Sequence, residues 1–379
     1  MAPVLRSLWG VCYNQVRLRE RKGSGLVLKD CEVLARLPEL LLEWYDRSAR
    51  VLPWREDPTP YRVWVSEIML QQTRVEAVKP YYQRFLEAFP TVEALAQAPT
   101  GRVLKLWEGL GYYNRARNLQ KGAQAVVEQF GGRVPASFEE LRSLPGVGDY
   151  TAGAIASIAF GLPVPAVDGN VLRVISRVLC RRDNILDPKV KRRMEEEIRQ
   201  ILPRRVGDFN QSLMELGAMI CLPGGQPKCL LCPLNQVCRG CREGVALELP
   251  VKTKPKPRKK EERTLFLLVS RQGRLGLQRR PEQGLLAGLW ELPGAEGQLA
   301  REEAEEFLGQ HGVEGELVPG PKAKHIFSHV EWHMTSWVVR TVAEGEGFTW
   351  AGREDLQQTY ALPAAFKGFF PLVRELVAE

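Results

Sequence analysis

The sequence predicts a mainly α domain that ends in a cysteine-rich loop, followed by a smaller α+β domain. Three observations point there. Apolar residues recur at helical spacing from Cys31 to about Arg239. Cys221, Cys229, Cys232, Cys238 and Cys241 crowd into one stretch rich in Pro and Gly. Beyond the run KTKPKPRKKEER at Lys252–Arg263 the texture changes to short apolar segments separated by turn residues. The expected boundaries are an N-terminal extension (1–30), the helical domain (31–241), a basic linker (242–263) and the second domain (264–379).

Composition narrows the class. The 379 residues are 44% hydrophobic and 26% charged, which excludes wholesale disorder. No apolar run reaches the roughly 18–20 residues of a membrane span. Lys and Arg number 53 against 45 Asp and Glu, a net charge of +8 that permits a polyanionic partner. Eight cysteines are few for this length, so a crowd of five implies metal in preference to a disulfide scaffold. Met1 to Arg19 carries Arg6, Arg17 and Arg19 and no acid; it reads as a ragged extension in preference to an organelle presequence.

The elements follow in order. Leu34, Leu37, Leu40, Leu41, Trp44 and Tyr45 share one helical face. A second helical segment runs from Ser66 towards Phe89, and Leu104–Trp107, Leu119–Phe130, Val171–Leu179 and Met194–Leu202 supply more. LPGVGDYTAGAI, at Leu144–Ile155, is a sharp turn at Gly146 and Gly148 leading into a small-residue helix, so backbone N–H groups there can hold a phosphate. The cysteines follow C-x7-C-x2-C-x5-C, a loop able to hold a [4Fe–4S] cube or one zinc. In the second domain Thr264–Ser270 and Arg274–Gln278 read as a hairpin about Gln272-Gly273, Trp332–Val339 as a strand, and Glu302–Leu308 and Phe369–Val377 as helices.

The order helix–hairpin–helix, VDGN (Val167–Asn170), then four cysteines resembles the endonuclease III superfamily of DNA glycosylases. LPW at Leu52–Trp54, WVSEIMLQQT at Trp64–Thr73, LWEGLGYYNRARNL at Leu106–Leu119, VGDFNQ at Val206–Gln211, and the C-terminal GLLAGLWELPG and HIFSH narrow the likeness to the MutY-type adenine DNA glycosylases. The seven residues between Cys221 and Cys229, where that family has six, imply a longer local loop.

What the resemblance implies is specific. Glu67, among Ile68, Met69 and Leu70, would hold a proton near neutrality and deliver it to adenine N7, while ionised Asp168 faces the oxocarbenium ion and Asn170 orients substrate or water. Asp168 also suits a helix N-cap. Tyr150 stands where the strand-cutting relatives carry a Schiff-base lysine, so a monofunctional enzyme is expected, with Tyr150 bonded to Asp168. Gln71, Gln72 and Tyr112 are expected at the gap left by a flipped base, with Arg115 and the Gly146 and Gly148 turn on phosphate. Cys221, Cys229, Cys232 and Cys238 would hold a [4Fe–4S] cluster. The second domain resembles a Nudix fold, but REEAEEFLG at Arg301–Gly309 has the wrong spacing for its Mg²⁺ helix. It is expected to be a binding module whose Phe327, Ser328 and His329 inspect 8-oxoguanine.

The partner expected is duplex DNA with adenine opposite 8-oxoguanine or guanine, met by a monomer without membrane attachment. An intracellular location follows, cytoplasmic in a bacterium and nuclear or mitochondrial in a eukaryote. Three other readings stand beside this one: a glycosylase/lyase for oxidised pyrimidines, a non-catalytic DNA-binding protein and a Nudix phosphohydrolase.

Overall fold

A computed structural model describes residues 29–253 and 257–377. They form two compact units, 29–68 with 128–253 and 69–127 with 257–377. Arg6, Arg17 and Arg19 of the N-terminal extension lie outside the described residues.

The principal helices are, in chain order, α1 (Asp30–Ser48), α2 (Pro60–Leu70), α3 (Val75–Ala88), α4 (Thr100–Leu106), α5 (Asn114–Phe130), α6 (Phe138–Ser143), α7 (Asp149–Phe160), α8 (Gly169–Val178), α9 (Pro188–Arg199), α10 (Val206–Met219), α11 (Arg301–Gln310) and α12 (Phe370–Leu376). In the first unit the apolar stripe of α1 (Leu34, Leu37 and Leu41) packs with Val171, Val174 and Ile175 of α8, Met194 and Ile198 of α9, and Phe209 and Leu213 of α10. Each such side chain taken fully out of water contributes roughly 1.5–3 kcal/mol. α6, the turn 144–148 and α7 make the helix–hairpin–helix. Ser137 caps α6 by accepting from the Glu140 N–H, and Gly146 takes a left-handed backbone, φ +77°, that a side chain would strain.

The segment expected as one helix from Ser66 to Phe89 is two, α2 and α3, broken at 71–74. Gln72 is left-handed (φ +56°) and Thr73 N–H bonds back to Leu70 O at 3.2 Å, which ends the helical ladder. Apolar residues continue on both sides of the break, so the hydrophobic pattern carries no sign of it.

The second unit contains an eight-stranded mixed sheet: β1 (Lys259–Val269), β2 (Leu275–Arg279), β3 (Trp290–Glu291), β4 (Gly294–Glu296), β5 (Gly315–Pro319), β6 (Ala323–Ile326), β7 (Val330–Thr341) and β8 (Thr349–Ala351). Its main path is β3-β2-β1-β7-β5, with β4, β6 and β8 added on β1, β7 and β2. β1 and β7 are parallel, in register from Lys259↔Val330 to Val269↔Arg340. Parallel strands need a long crossover, and α11 lies within it. Phe266 and Leu268 pack with Ala304 and Leu308 of α11 on one face. Leu265, Leu267 and Val269 pack with Trp332, Met334 and Phe366 on the other. A strand covered on both faces reads as a continuous apolar run, which explains TLFLLV. The predicted hairpin is present, with Val269 paired to Leu275 and Gly273 at φ +69°.

The expected linker is shorter than its composition suggests, because Lys259–Arg263 is strand. Pairing with β7 satisfies its backbone, Trp332 Nε1 donates to Glu261 Oε2 at 3.0 Å, and the Arg263 guanidinium lies 4.3 Å from the Trp332 ring centroid. Charged side chains at these positions are compatible with a strand once an aromatic partner covers them.

Candidate active site

Glu67 lies on a helix that is apolar nearly all round. Its neighbours Trp64, Val65, Ile68 and Met69 are at most 2% exposed, and Glu67 itself is 6% exposed. Burial raises its carboxyl to about 7, and the negative charge of Asp168 adds to the rise. The Tyr150 hydroxyl, in the first turn of α7, donates to Glu67 Oε2 at 2.7 Å and touches Met214 Sδ at 3.0 Å. Tyr150 was expected on Asp168; it is on Glu67 instead, the carboxyl most deprived of water and so most in need of a donor. Burial, then the charges of Glu67 and Asp168, hold the phenol far above its ordinary range.

Asp168 is the N-cap of α8. Its Oδ1 accepts from Asn170 N (2.9 Å) and Val171 N (2.8 Å), and Oδ2 accepts from Asn170 Nδ2 (2.6 Å). Burial raises this carboxyl, while the three bonds and Arg173 pull it back. Glu67 and Asp168, a hundred residues apart in sequence, thus sit within electrostatic reach of each other and of one phenol.

A chain of bonds supports the pair from behind. Asn170 Oδ1 accepts from Arg173 Nη2 (2.9 Å), which also donates to Gly217 O (2.8 Å); Arg173 Nε donates to Cys221 O (2.8 Å). Gly217 permits this approach, since a Cβ there would stand 2.6 Å from Asn170 Cβ. One turn on, Arg177 Nη1 donates to Cys221 Sγ (3.2 Å) and Leu222 O (2.9 Å). Fully buried Asn210 accepts from Ala166 N and donates to Val164 O and Ser157 Oγ, fixing the segment that leads to Asp168.

The cysteine loop closes over α8. Cys221, Cys229, Cys232, Cys238 and Cys241 line one cavity with Arg177, Val174 and Leu216. Burial pushes Cys232 up to about 12 and Cys238 up to about 11. A thiolate at either position is disfavoured unless a positive charge stands beside it. Among the described residues no three Cys, His, Asp or Glu side chains are gathered as ligands of one ion.

Two exposed residues have left-handed backbones, Gln72 (φ +56°) and Tyr112 (φ +49°, 50% exposed). Such strain in residues other than glycine collects at functional loops. Arg115 was expected on phosphate, but its guanidinium turns inward. It donates to Met69 O (2.9 Å), Gln71 O (2.5 Å), Leu110 O (3.1 Å), Gly111 O (3.0 Å) and Thr73 Oγ1 (3.3 Å). Burial lowers it to about 10. Main-chain oxygens left at the break after α2 need a donor, and Arg115 supplies it. In the C-terminal sheet Phe327 N–H bonds to Val330 O at 2.8 Å, closing a tight hairpin with Ser328 and His329 exposed at its tip. Phe327 is packed edge-on against Trp332 (4.9 Å) and His325 (4.5 Å), so it supports the tip.

The family model for the HhH-GPD superfamily of base excision DNA repair proteins matches residues 65–200, and that for a NUDIX domain matches 264–371. Adenine DNA glycosylases from Homo sapiens (35% identical, 94% of this chain and 77% of that protein) and Rattus norvegicus (36% identical, 88% and 77%) align along most of their length. The chain belongs to the adenine DNA glycosylases. The Mus musculus protein agrees, at 38% identity over 77% of this chain and 68% of its own.

In this glycosylase the parts that sequence reasoning missed are mostly arginines. Arg173 and Arg177 stand at i and i+4 in the apolar helix VLRVISRV, and both are nearly buried. Cations on a buried stripe signal obligatory partners, and that was the available clue. Arg50 and Arg55 converge on Glu215 of α10, with Arg55 also bonding Gln211 Oε1 at 3.0 Å. VGDFNQSLME thus contributes Asn210, Gln211 and Glu215 to positioning. In the NUDIX-like domain Glu302, Glu303, Glu305 and Glu306 of α11 face solvent; Glu303 caps the helix at Ala300 N–H and Glu305 pairs with Arg301.

Proposed function

We propose that this glycosylase removes adenine mispaired with 8-oxoguanine or guanine in duplex DNA, by a monofunctional hydrolysis. The observation that carries the reading is Glu67: a buried carboxyl raised to about 7 beside Asp168. Near neutrality a large share of Glu67 holds a proton, and it protonates adenine N7. The C1′–N9 bond then breaks with its electron pair moving to the base, which leaves as neutral adenine. Asp168 faces the resulting oxocarbenium ion, and its capping bonds hold both oxygens in place. Asn170, fixed by Arg173, presents its amide to substrate or to the water that adds at C1′, and the proton this water loses returns to the Glu67 carboxylate, restoring the acid. Tyr150 adjusts Glu67 by its hydrogen bond, and its phenol forms no imine, so the product is an abasic site with the strand intact.

A stacked adenine must be flipped out, at a few kcal/mol. The strained, exposed Gln72 and Tyr112, with Gln71, suit the space it leaves. The turn at Gly146 and Gly148 offers N–H groups to a phosphate next to the start of α7. Ser328 and His329, at the hairpin tip supported by Phe327, read the N7/O8 edge of 8-oxoguanine. Cys221, Cys229, Cys232 and Cys238 fit a [4Fe–4S] cluster, since all four thiols line one cavity and four thiolates are the ligand set such a cluster takes. When bound, it supplies the cationic charge that keeps those thiolates together and closes the loop over Arg173 and Arg177.

The test uses duplexes with adenine opposite 8-oxoguanine, guanine or thymine, followed by alkali. Alkali-dependent cleavage at adenine in the first two, absent in Glu67→Gln and Asp168→Asn, is expected. Cleavage without alkali, or a borohydride-trapped adduct, would refute the monofunctional mechanism.

A further inference from the structure

Glu108 lies four residues before Tyr112, in the motif LWEGLGYYNRARNL, and nothing in the catalytic scheme uses it. Its side chain turns away from the motif. Glu108 Oε1 accepts the Leu362 backbone N–H of the C-terminal module at 2.6 Å. Lys105, three residues earlier, bonds Glu108 Oε2 at 2.5 Å and donates to two carbonyls of the same module, Leu356 O (2.8 Å) and Tyr360 O (3.2 Å). One ion pair therefore collects a donor and two acceptors from 356–362. It is well shielded, with side-chain exposures of 12% for Lys105 and 28% for Glu108.

The surroundings show why this contact matters. Beside it lies a cleft of about 480 Å³ lined by Leu104, Arg117, Lys121, Arg279, Trp290 and Thr359. The helices and the module both line that cleft, and they are joined again where Arg117 donates to Ala287 O. On the other side Glu108 runs into a loop bound at several points. Trp107 is fully buried, its Nε1 donates to Gly111 O at 3.2 Å, and Arg115 grips Leu110 O and Gly111 O. Glu108 thus connects Leu362 of the module, within four residues of chain, to the backbone that carries Tyr112.

We infer that Lys105 and Glu108 are positioning residues for mispair discrimination: they clasp the C-terminal module to the Tyr112 loop, so that contact with the base opposite adenine and insertion of Tyr112 occur as one coupled event. The inference rests on the proposed reading of the module and of Tyr112. The clasp acts on choice of mispair and leaves the bond-breaking groups untouched.

The experiment measures single-turnover excision from adenine:8-oxoguanine and adenine:guanine duplexes, together with hydrogen exchange of the peptide containing Leu362, in the full-length protein. In Glu108→Ala the rate ratio between the two duplexes falls about fivefold, the scale of one lost hydrogen bond, through the 8-oxoguanine substrate alone, and Leu362 exchanges faster. Glu108→Gln retains an oxygen for Leu362 N–H and preserves most of the ratio. Lys105→Met gives a smaller fall in the same direction. An unchanged ratio with faster exchange at Leu362 overturns the proposal, as does an equal loss on both duplexes. Wild-type protein that excises adenine from neither duplex refutes the underlying reading, and hydrogen exchange still reports separately whether the clasp forms.

Discussion

Glu67 and Glu215 are the same amino acid, on neighbouring parts of one unit, and both are almost fully buried at 6% and 2% exposure. Their acidities diverge. Burial carries Glu67 up to about 7, whereas for Glu215 the same burial is outweighed by bonds from Arg50 and Arg55, which hold it at about 2. Desolvation alone does not decide whether a buried carboxyl keeps its proton; the donors around it do. Glu67 has one neutral phenol at 2.7 Å, and Glu215 has two guanidinium groups at 2.7–3.0 Å. The first arrangement favours a carboxyl that keeps its proton near neutrality, as the proposed acid role requires, and the second holds a carboxylate as a structural anchor.

The comparison breaks most sharply at Glu67. Glu67→Gln should lower single-turnover excision roughly 10³-fold with little loss of fold, because general acid catalysis is removed and a neutral side chain suits the pocket. Glu215→Gln should do the reverse. It leaves two partly buried arginines without their anion and should cost about 3 kcal/mol in urea unfolding, while excision at saturating stability changes much less. If Glu215→Gln retains wild-type stability, the anchoring role fails.

The two glutamates also predict opposite pH slopes. For Glu67 the folded value of about 7 lies above the ordinary 4.5, so its stabilising contribution is complete below 4.5 and is lost as pH rises through about 7. For Glu215 the folded value of about 2 lies below 4.5, so its contribution is complete above 4.5 and is lost as pH falls through about 2. Unfolding free energies of Glu67→Gln and Glu215→Gln, each minus wild type across this range, should therefore slope in opposite senses. Excision itself should decline above pH about 7 as Glu67 loses its proton. Tyr150→Phe gives the smallest effect. Removing a donor to the carboxylate raises the Glu67 value further, so the alkaline limb of the excision profile should move to higher pH by less than about one unit. A shift to lower pH would contradict the assigned bond.

Much of this was legible in the sequence, and the remainder was hidden for identifiable reasons. Glu67 and Asp168 stand out as the carboxylates of WVSEIMLQQT and VDGN, two of the motifs that carry the resemblance, and the apolar neighbours of Glu67 already point to its burial. The hairpin at Gln272-Gly273 follows from turn chemistry and apolar runs. The partner of Tyr150 was not legible, since direction across a site depends on how α2 and α7 pack. The inward turn of Arg115 was hidden for the same reason, because an arginine beside a loop reads alike whether it faces phosphate or carbonyl oxygen. Lys259–Arg263 resembles a linker by composition and becomes strand only through pairing with β7, some 70 residues away in sequence.

Arg115 gathers oxygens from both the Gln71–Thr73 bend and the Leu110–Gly111 bend. Neither bend can change length alone without withdrawing an acceptor from that one cation. An insertion or deletion in either bend would therefore loosen the other, whereas a substitution that keeps the backbone spacing leaves the main-chain acceptors of this cation in place.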